Sequence, residues 1–418
     1  MKTLLILGAG TGGTIVANKM ARRLDLREWK IVVVDRDQRH LYQPGLLFLP
    51  FGMYQPADMI KERRRLLSSR VELVLGEIEA IEPEANRVKL AGRGEAMAYD
   101  QLVVALGCEI APQETAGMTD GGWRKNIFDF YTMEGSVALR RFLQTWPGGR
   151  LVLNVAEMPI KCPVAPLEFL FLADSYFHRR GMRNKVSLTY VTPLTGAFTK
   201  PRAAVALAGL LAKKGIEVVP DFAISDVDSG KNKILSYDKK EVGYDLLVTI
   251  PVNKGADVMG RSNMGDELDY LETNKATLQS TKWPNVWGIG DATNVPTAKA
   301  GSVAHFMADA LVENLAHHIR GEALPETFDG HANCYIESGF NRALLIDYSY
   351  TTQPVTGSFP LPVIGPFSLL KESMINHWGK LAFRWIYWNL LLPGRLPFPA
   401  KYSAPPGMAR EAELHHTP

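Results

Sequence analysis

Three cysteines, Cys108, Cys162 and Cys334, pose the first chemical question in this sequence. They form no Cys-x-x-Cys pair and no Cys/His spacing suited to zinc, so neither a disulfide-dense scaffold nor a metal site is read from them, and no metal is assigned. Any two of them that pair would make a redox-active bridge rather than a structural one. Spacing alone favours two buried, inert thiols, the commonest fate of free cysteine, because Cys162 and Cys334 lie 172 positions apart. Cys162 stands between two prolines in "EMPIKCPVAPLEF", residues 157–169.

The elements that must position such groups are legible first at the N-terminus. Residues 3–8, "TLLILG", are the continuous apolar run of a buried parallel strand, followed by Gly8-Ala9-Gly10-Thr11-Gly12-Gly13 and a helical stretch to about Leu24. Gly8 and Gly10 permit a tight turn and close backbone approach, Gly13 lets the helix pack on the strand, and the helix N-terminus favours a pyrophosphate. Gly12 lies within the same loop. A second strand, "KIVVVD", ends at Asp35, 27 residues after Gly8, where a carboxylate accepts ribose hydroxyls. This is a dinucleotide site in its strand, turn and helix context.

Composition narrows the rest. With 46% hydrophobic and 22% charged residues the chain is an ordinary globular protein, and 47 basic against 44 acidic residues give a net charge of +3, too mild for a nucleic-acid binder. The opening "MKTLLILGAGTGG" is too short an apolar run for a signal peptide, and no stretch has the roughly 18 consecutive apolar residues of a spanning helix.

"NVWGIGDAT", residues 285–293, resembles the segment by which FAD-dependent disulfide-oxidoreductase-like proteins set an aspartate on the ribityl chain, here Gly290-Asp291. "YDQLVVALG", ending at Gly107, resembles the ATG-type segment of the same domain, with Leu106 in place of the usual threonine. These pieces are far apart, so the FAD domain is expected to be split by an insert. The expected division is residues 1–110 for its first part, 111–270 for a second Rossmann-like domain, 271–330 for its second part and 331–418 for a C-terminal region. In the insert, the strand "GGRLVLNV" should lead into a second glycine-rich loop, yet residues 154–168 contain no glycine. Side chains there would crowd a pyrophosphate, and Pro159 and Pro163 lack backbone donors. Functions that need a nicotinamide, such as NADH dehydrogenase or ferredoxin reductase, are disfavoured.

Taken together, the Gly8–Gly13 loop, Cys162 with Glu168 six residues later, "RRGMRNKVSLTYVTP", "NVWGIGDAT", Lys299-Ala300-Gly301, Cys334 and "HWGKLAF" resemble the sulfide:quinone oxidoreductase family along nearly the whole chain. The related flavocytochrome c sulfide dehydrogenase flavoprotein shares the core. The resemblance implies two Rossmann-like domains, FAD, and a disulfide or polysulfide bridge between Cys162 and Cys334 beside the flavin, Cys334 being the nearer. Hydrosulfide would attack that bridge, leaving a persulfide and a thiolate. Glu168 is a candidate proton acceptor if the segment turns helical after Pro166, and a solvated helix position is the other reading. Lys299 and Gly301 open a helix, running to about His318, whose N-terminus would face the flavin pyrimidine. Phe128 stands at the place judged equivalent to the family's covalent cysteine, so the FAD is expected to be non-covalent. Cys108 is read as a packing residue.

Residues 361–402 carry a wide aromatic stripe, Met374, Trp378, Leu381, Trp385 and Trp388 on a helix, with interspersed cations. This is the composition of a helix lying in a membrane interface, so a peripheral, monotopic membrane protein is expected. By resemblance, Tyr335, Lys380 and Phe383 stand near a quinone. "LYQPGLLFLPFGM", residues 41–53, belongs to a loop near either the flavin or the membrane. The expected partners are sulfide, quinone and a membrane surface, with a homo-oligomer left open. A sulfide dehydrogenase with a protein electron acceptor and a flavin-containing sulfur sensor without turnover are the competing readings.

Overall fold

The computed structural model describes residues 1–325, 328–360 and 365–396. The apolar run Lys2–Leu7 forms the middle of a five-stranded parallel sheet, in the order Val286–Gly288, Gln101–Val104, Lys2–Leu7, Trp29–Asp35, Glu72–Leu75. Leu4 to Leu7 are fully buried, because the sheet is covered on both faces and no alternation is required. A second five-stranded parallel sheet runs Ile127–Phe128, Leu246–Ile250, Gly149–Val155, Val186–Val191, Ile216–Val219. The chain passes between the two units through an antiparallel ribbon of Cys108–Ala111 with Val252–Gly255. Two Rossmann-like sheets are thus present, with the second inserted into the first.

The return to the first unit comes earlier than residue 271. The helix Asp257–Arg261 follows the ribbon directly, and Val258, Met259 and Met264 share a core with Leu5, Val32 and Val104 of the first sheet. Burial of those apolar side chains, unmarked by any turn signal in the sequence, sets the boundary at the ribbon.

A four-stranded sheet built from Ala332–Gly339, Arg342–Tyr348, Phe367–Leu369 and Gly357–Phe359 forms the C-terminal unit, and the helix Met374–Ile386 lies against it. Ser373 caps that helix, its hydroxyl accepting from Asn376 N–H at 3.0 Å. Met374, Ile375, Trp378 and Trp385 are exposed on its outer face. Trp388 departs from the expected stripe: the backbone passes into a π-helical turn at Tyr387–Leu391, which swings Trp388 inward against His40 and Tyr42. Among the described residues no helix is long and apolar enough to cross a membrane. Residues 361–364 and 397–402 of the apolar tail lie outside the described residues.

Candidate functional site

One cavity of about 1020 Å³ runs from the glycine loop to the last helix. It is lined by Gly8, Gly10, Gly12, Asp35, Gly107, Gly290, Asp291, Lys299 and Gly301, and also by Cys162, Glu168, Cys334, Tyr335, Lys380 and Phe383. Every site residue anticipated from the sequence is among them except Gly13. Gly13 is a packing position: a Cβ there would lie 1.9 Å from the Gly8 carbonyl oxygen. Gly10 is different, since a Cβ would meet nothing within 4 Å and would project into open space.

That space fits a dinucleotide. Gly10 offers no side-chain cap to the helix Thr11–Arg23, whose first turn carries no acidic residue, so its free N–H groups suit a pyrophosphate. Asp35 Oδ2 accepts from Ala9 N–H at 2.7 Å and pairs with Arg63 at 3.0 Å, while Oδ1 accepts only a long bond of 3.4 Å from Asp37 N–H and keeps acceptor capacity. Arg63 also donates to the Ala9 carbonyl, bracing the loop. The Tyr387 hydroxyl lies 2.8 Å from Thr11 Oγ1 and 2.7 Å from His40 Nε2, tying the turn after the helix Met374–Ile386 to the loop. Burial, with Arg63 nearby, lowers His40 to about 3, so the ring is neutral. Arg63, His40 and Tyr387 escaped the sequence reading because nothing local marks a side chain that reaches a loop across the fold.

Lys299 is buried, at 7% exposure, and donates to the Thr293 and Asp291 carbonyls at 2.6 and 3.2 Å. Its ammonium sits 3.9 Å from the Tyr270 ring centroid. Burial lowers its pKa, and Asp291 draws it back up. The helix after it runs Gly301–Ile319. Phe128 does not face this cavity: it is a core residue of the second sheet, packed on Phe142. Phe130 and Tyr131, two and three positions on, are the residues in the wall. The loop at 41–53 contributes Leu41, Gln43, Pro44, Leu46 and Leu47 to the cavity wall.

The second unit presents Cys162 where its strand Gly149–Val155 gives way to the helix Ala165–Arg179. Three backbone donors there are already used. Cys162 N–H donates to the Lys299 carbonyl at 2.7 Å, Lys161 N–H to Asn253 Oδ1 at 3.0 Å, and Ala165 N–H to the Cys162 carbonyl at 2.8 Å. Cys162 itself is left-handed, at φ 48°, a conformation that costs a non-glycine residue about 1–2 kcal/mol and that this bonding holds in place. Lys161, next to the thiol, also lines the cavity, donating to the Cys108 carbonyl at 3.1 Å. Cys108 is buried, and its thiol is pushed up to about 12 chiefly by burial.

Cys162 and Cys334 are both free thiols facing the cavity. Burial raises both; the Glu168 carboxylate adds to the rise at Cys162, whereas Lys380 and the Ser302 hydroxyl draw Cys334 back to about 11. Glu168 is not a solvated helix position. It is fully buried, and Oε1 accepts from Lys380 Nζ and from Glu337 N–H, each at 2.8 Å. Its Oε2 has no hydrogen-bond partner among the described residues. Burial raises the Glu168 pKa against the pull of Lys380; burial would lower Lys380, but the carboxylate overrides it and holds Lys380 protonated. Lys380 Nζ also donates to the Tyr335 carbonyl at 3.0 Å. Tyr335 packs edge-on to Phe367, and its hydroxyl sits where a Cβ on Gly379 would be, 2.8 Å away.

Comparison with known proteins agrees with this architecture. A family described as pyridine nucleotide-disulphide oxidoreductase matches residues 2–138. The mitochondrial sulfide:quinone oxidoreductase of Mus musculus is 26% identical over 404 residues, covering 95% of this chain and 88% of that protein. The sulfide-quinone reductase of Aquifex aeolicus is 23% identical over 343 residues, covering 76% of this chain and 77% of its own. The solved structure of the Aquifex aeolicus sulfide:quinone oxidoreductase superposes with a TM-score of 0.76 at 21% identity, over 93% of this chain and 92% of that one, which bears on the fold. Proteins of this kind are FAD-dependent, and the glycine loop, Asp35 and Asp291 suit that cofactor. The chain is an FAD-dependent oxidoreductase of α/β build, and its resemblance to the sulfide:quinone oxidoreductase family holds over most of its length.

Proposed function

We propose that this protein oxidises sulfide at Cys162 and Cys334 and passes the electrons through non-covalent FAD to a quinone at a membrane surface. The observation that carries this reading is the shared cavity. Two thiols, a dinucleotide cradle, and the cluster of Lys380, Phe383 and Tyr335 all line it. No cysteine other than Cys162 and Cys334 lines it among the described residues, which supports non-covalent cofactor binding.

With the pair oxidised, hydrosulfide attacks one sulfur, forming a persulfide there and releasing the other cysteine as a thiolate. The persulfide gives up its proton to Glu168, whose Oε2 is free to take it. Persulfide and thiolate then join as a trisulfide bridge, releasing two electrons. Bound FAD supplies the two-electron acceptor that links this step to the quinone. Lys380, hydrogen-bonded to Glu168, stands ready to hand a proton to a quinone oxygen, and Tyr335 and Phe383 supply aromatic surface for its ring. The exposed Met374, Ile375, Trp378 and Trp385 suit the interfacial zone of a bilayer, from which a lipid-soluble oxidant would enter.

The test is anaerobic addition of sulfide to the yellow holoprotein, followed by a short-chain quinone. Sulfide should bleach the flavin and quinone restore it, and Cys162→Ala should stay yellow with FAD bound. Bleaching by NADH instead, or none by sulfide, sinks the reading. Bleaching that quinone cannot reverse would point to a protein electron acceptor.

A further inference from the structure

The two cysteines are not equivalent, and the difference lies in what stands beside each sulfur. Ser302, the second residue of the helix Gly301–Ile319, is half-buried in the cavity wall. Its Oγ lies 2.7 Å from the Asn333 carbonyl oxygen and 3.8 Å from Cys334 Sγ. A hydroxyl rotates freely about its C–O bond, so one Ser302 serves both protonation states of the thiol. When Cys334 is a thiol, Ser302 donates to the Asn333 carbonyl and its oxygen faces the S–H. When Cys334 is a thiolate, the same O–H turns to the sulfur. The helix behind it has no side-chain cap and no acidic residue in its first turn, so its positive end adds to the effect.

At Cys162 the Tyr131 hydroxyl donates to the carbonyl of the preceding residue, Lys161, but among the described residues no hydroxyl is hydrogen-bonded to the Cys162 sulfur. After burial, the largest charged influence on it is Glu168, which opposes ionisation, with Lys380 and the Ala165 N–H as weaker support. The groups acting on Cys334 are Lys380 from the last helix, which favours the thiolate, and Glu168 and Asp347 from the helix Ala165–Arg179 and the strand Arg342–Tyr348, which oppose it. Asp347 is partly occupied: His331 Nε2 lies 3.1 Å from Oδ1, and Asn333 donates to Oδ2 at 2.7 Å.

We infer that the Ser302 hydroxyl is the hydrogen-bond partner that makes Cys334, rather than Cys162, the cysteine released as thiolate when sulfide opens the bridge. Attack then falls on Cys162, which keeps the persulfide beside Glu168. This rests on the proposed redox role of the pair.

The test uses reduced holoprotein carrying Cys162→Ala, so that Cys334 is the one thiol facing the cavity. Alkylation by iodoacetamide is followed at the Cys334 peptide by mass spectrometry across a pH series; the thiolate displaces iodide and forms a thioether. Ser302→Ala should move the titration of the alkylation rate upward by about one pH unit, roughly a tenfold slower reaction below the midpoint, as expected for losing one hydrogen bond to a charged group. Ser302→Thr and Ser302→Val differ by little more than the hydroxyl, so Thr should titrate like the parent and Val like Ala, which keeps the test decisive if Ala fails to fold. Identical titration of Thr and Val overturns the inference. If the Ser302 variants titrate as expected but sulfide does not bleach the flavin, the proposed function falls while the hydrogen bond stands. If sulfide bleaches the flavin and the titrations coincide, the reverse holds.

Discussion

Replacing Lys380 by methionine removes the cation that Glu168 faces in a place almost without water, the two side chains being 13% and 0% exposed. The Glu168 carboxylate would keep only the Glu337 N–H as a donor. Breaking a buried pair from one side costs about 3–5 kcal/mol when the remaining charge cannot be neutralised. Here it can be, because Glu168 already has a raised pKa from burial, and loss of Lys380 takes away the group that draws it down. The variant therefore folds best with Glu168 protonated. A carboxyl whose folded pKa lies above its unfolded value of about 4.3 binds an extra proton in the folded state, so stability is full below that value and falls as pH rises, by about 1.4 kcal/mol per unit. Between about pH 5 and about pH 7, Lys380→Met should lose up to roughly 2.7 kcal/mol more than the parent. Urea unfolding of the holoprotein at both pH values, read by the rise in FAD fluorescence, measures this difference. Glu168→Gln with Lys380→Met should abolish the pH-dependent part and leave a constant deficit of about 1 kcal/mol, because the Tyr335 carbonyl has lost its donor. A Lys380→Met deficit of the same size at both pH values would refute the reasoning.

Gly10→Ala should leave the fold intact and weaken FAD retention, since its Cβ enters open cavity space, whereas Gly13→Ala should fail to fold, its Cβ lying 1.9 Å from the Gly8 oxygen; FAD absorbance and circular dichroism separate the two. Trp378→Ser and Trp385→Ser, at positions 62% and 61% exposed, should each reduce partition onto lipid vesicles by roughly ten- to a hundredfold, from the 1.5–3 kcal/mol of a large buried apolar side chain. Sulfide-driven bleaching should be unchanged in both. Tyr387→Phe removes the hydroxyl shared by Thr11 and His40, should cost about 1–3 kcal/mol, and should speed FAD release, measured by the rise in FAD fluorescence on dilution.

The parts of this site legible in the sequence are those whose cause is local. The glycine loop, Asp35 and Gly290-Asp291 each follow an apolar strand directly, so periodicity and turn chemistry expose them. The parts that escaped depend on distant partners. Arg63 and Tyr387 meet at Ala9, His40 and Thr11 only after the fold closes, and no spacing announces that. Trp388 was out of phase because the stripe was read at one helical period, while the backbone changes period at Tyr387. Counting on from Gly107 puts Phe128 at the place of the family's covalent cysteine, but the strand Ile127–Phe128 is consumed by the second sheet before the chain reaches the cavity at Phe130. Glu168 kept two readings until its burial excluded one.

The second sheet also explains why a cysteine stands at a place that the glycine-poor loop denies to phosphate. A pyrophosphate site needs unspent backbone N–H groups at the start of a helix. In this loop Lys161, Cys162 and Ala165 have spent theirs on Asn253, Lys299 and Cys162 itself. The Cys162–Lys299 bond pins the inserted unit to the segment that precedes the helix Gly301–Ile319, and Ser302 on that helix reaches Cys334. Lys299 thus joins the two cysteines' supports, holding Cys162 through its carbonyl while its ammonium is fixed to Asp291 and Thr293. Because the Lys299 carbonyl grips the Cys162 backbone, a shift of the segment around Lys299 moves the Cys162 loop with it. The N–H groups at this strand-to-helix junction are thus spent on fixing the backbone around Cys162 rather than left open to an anion.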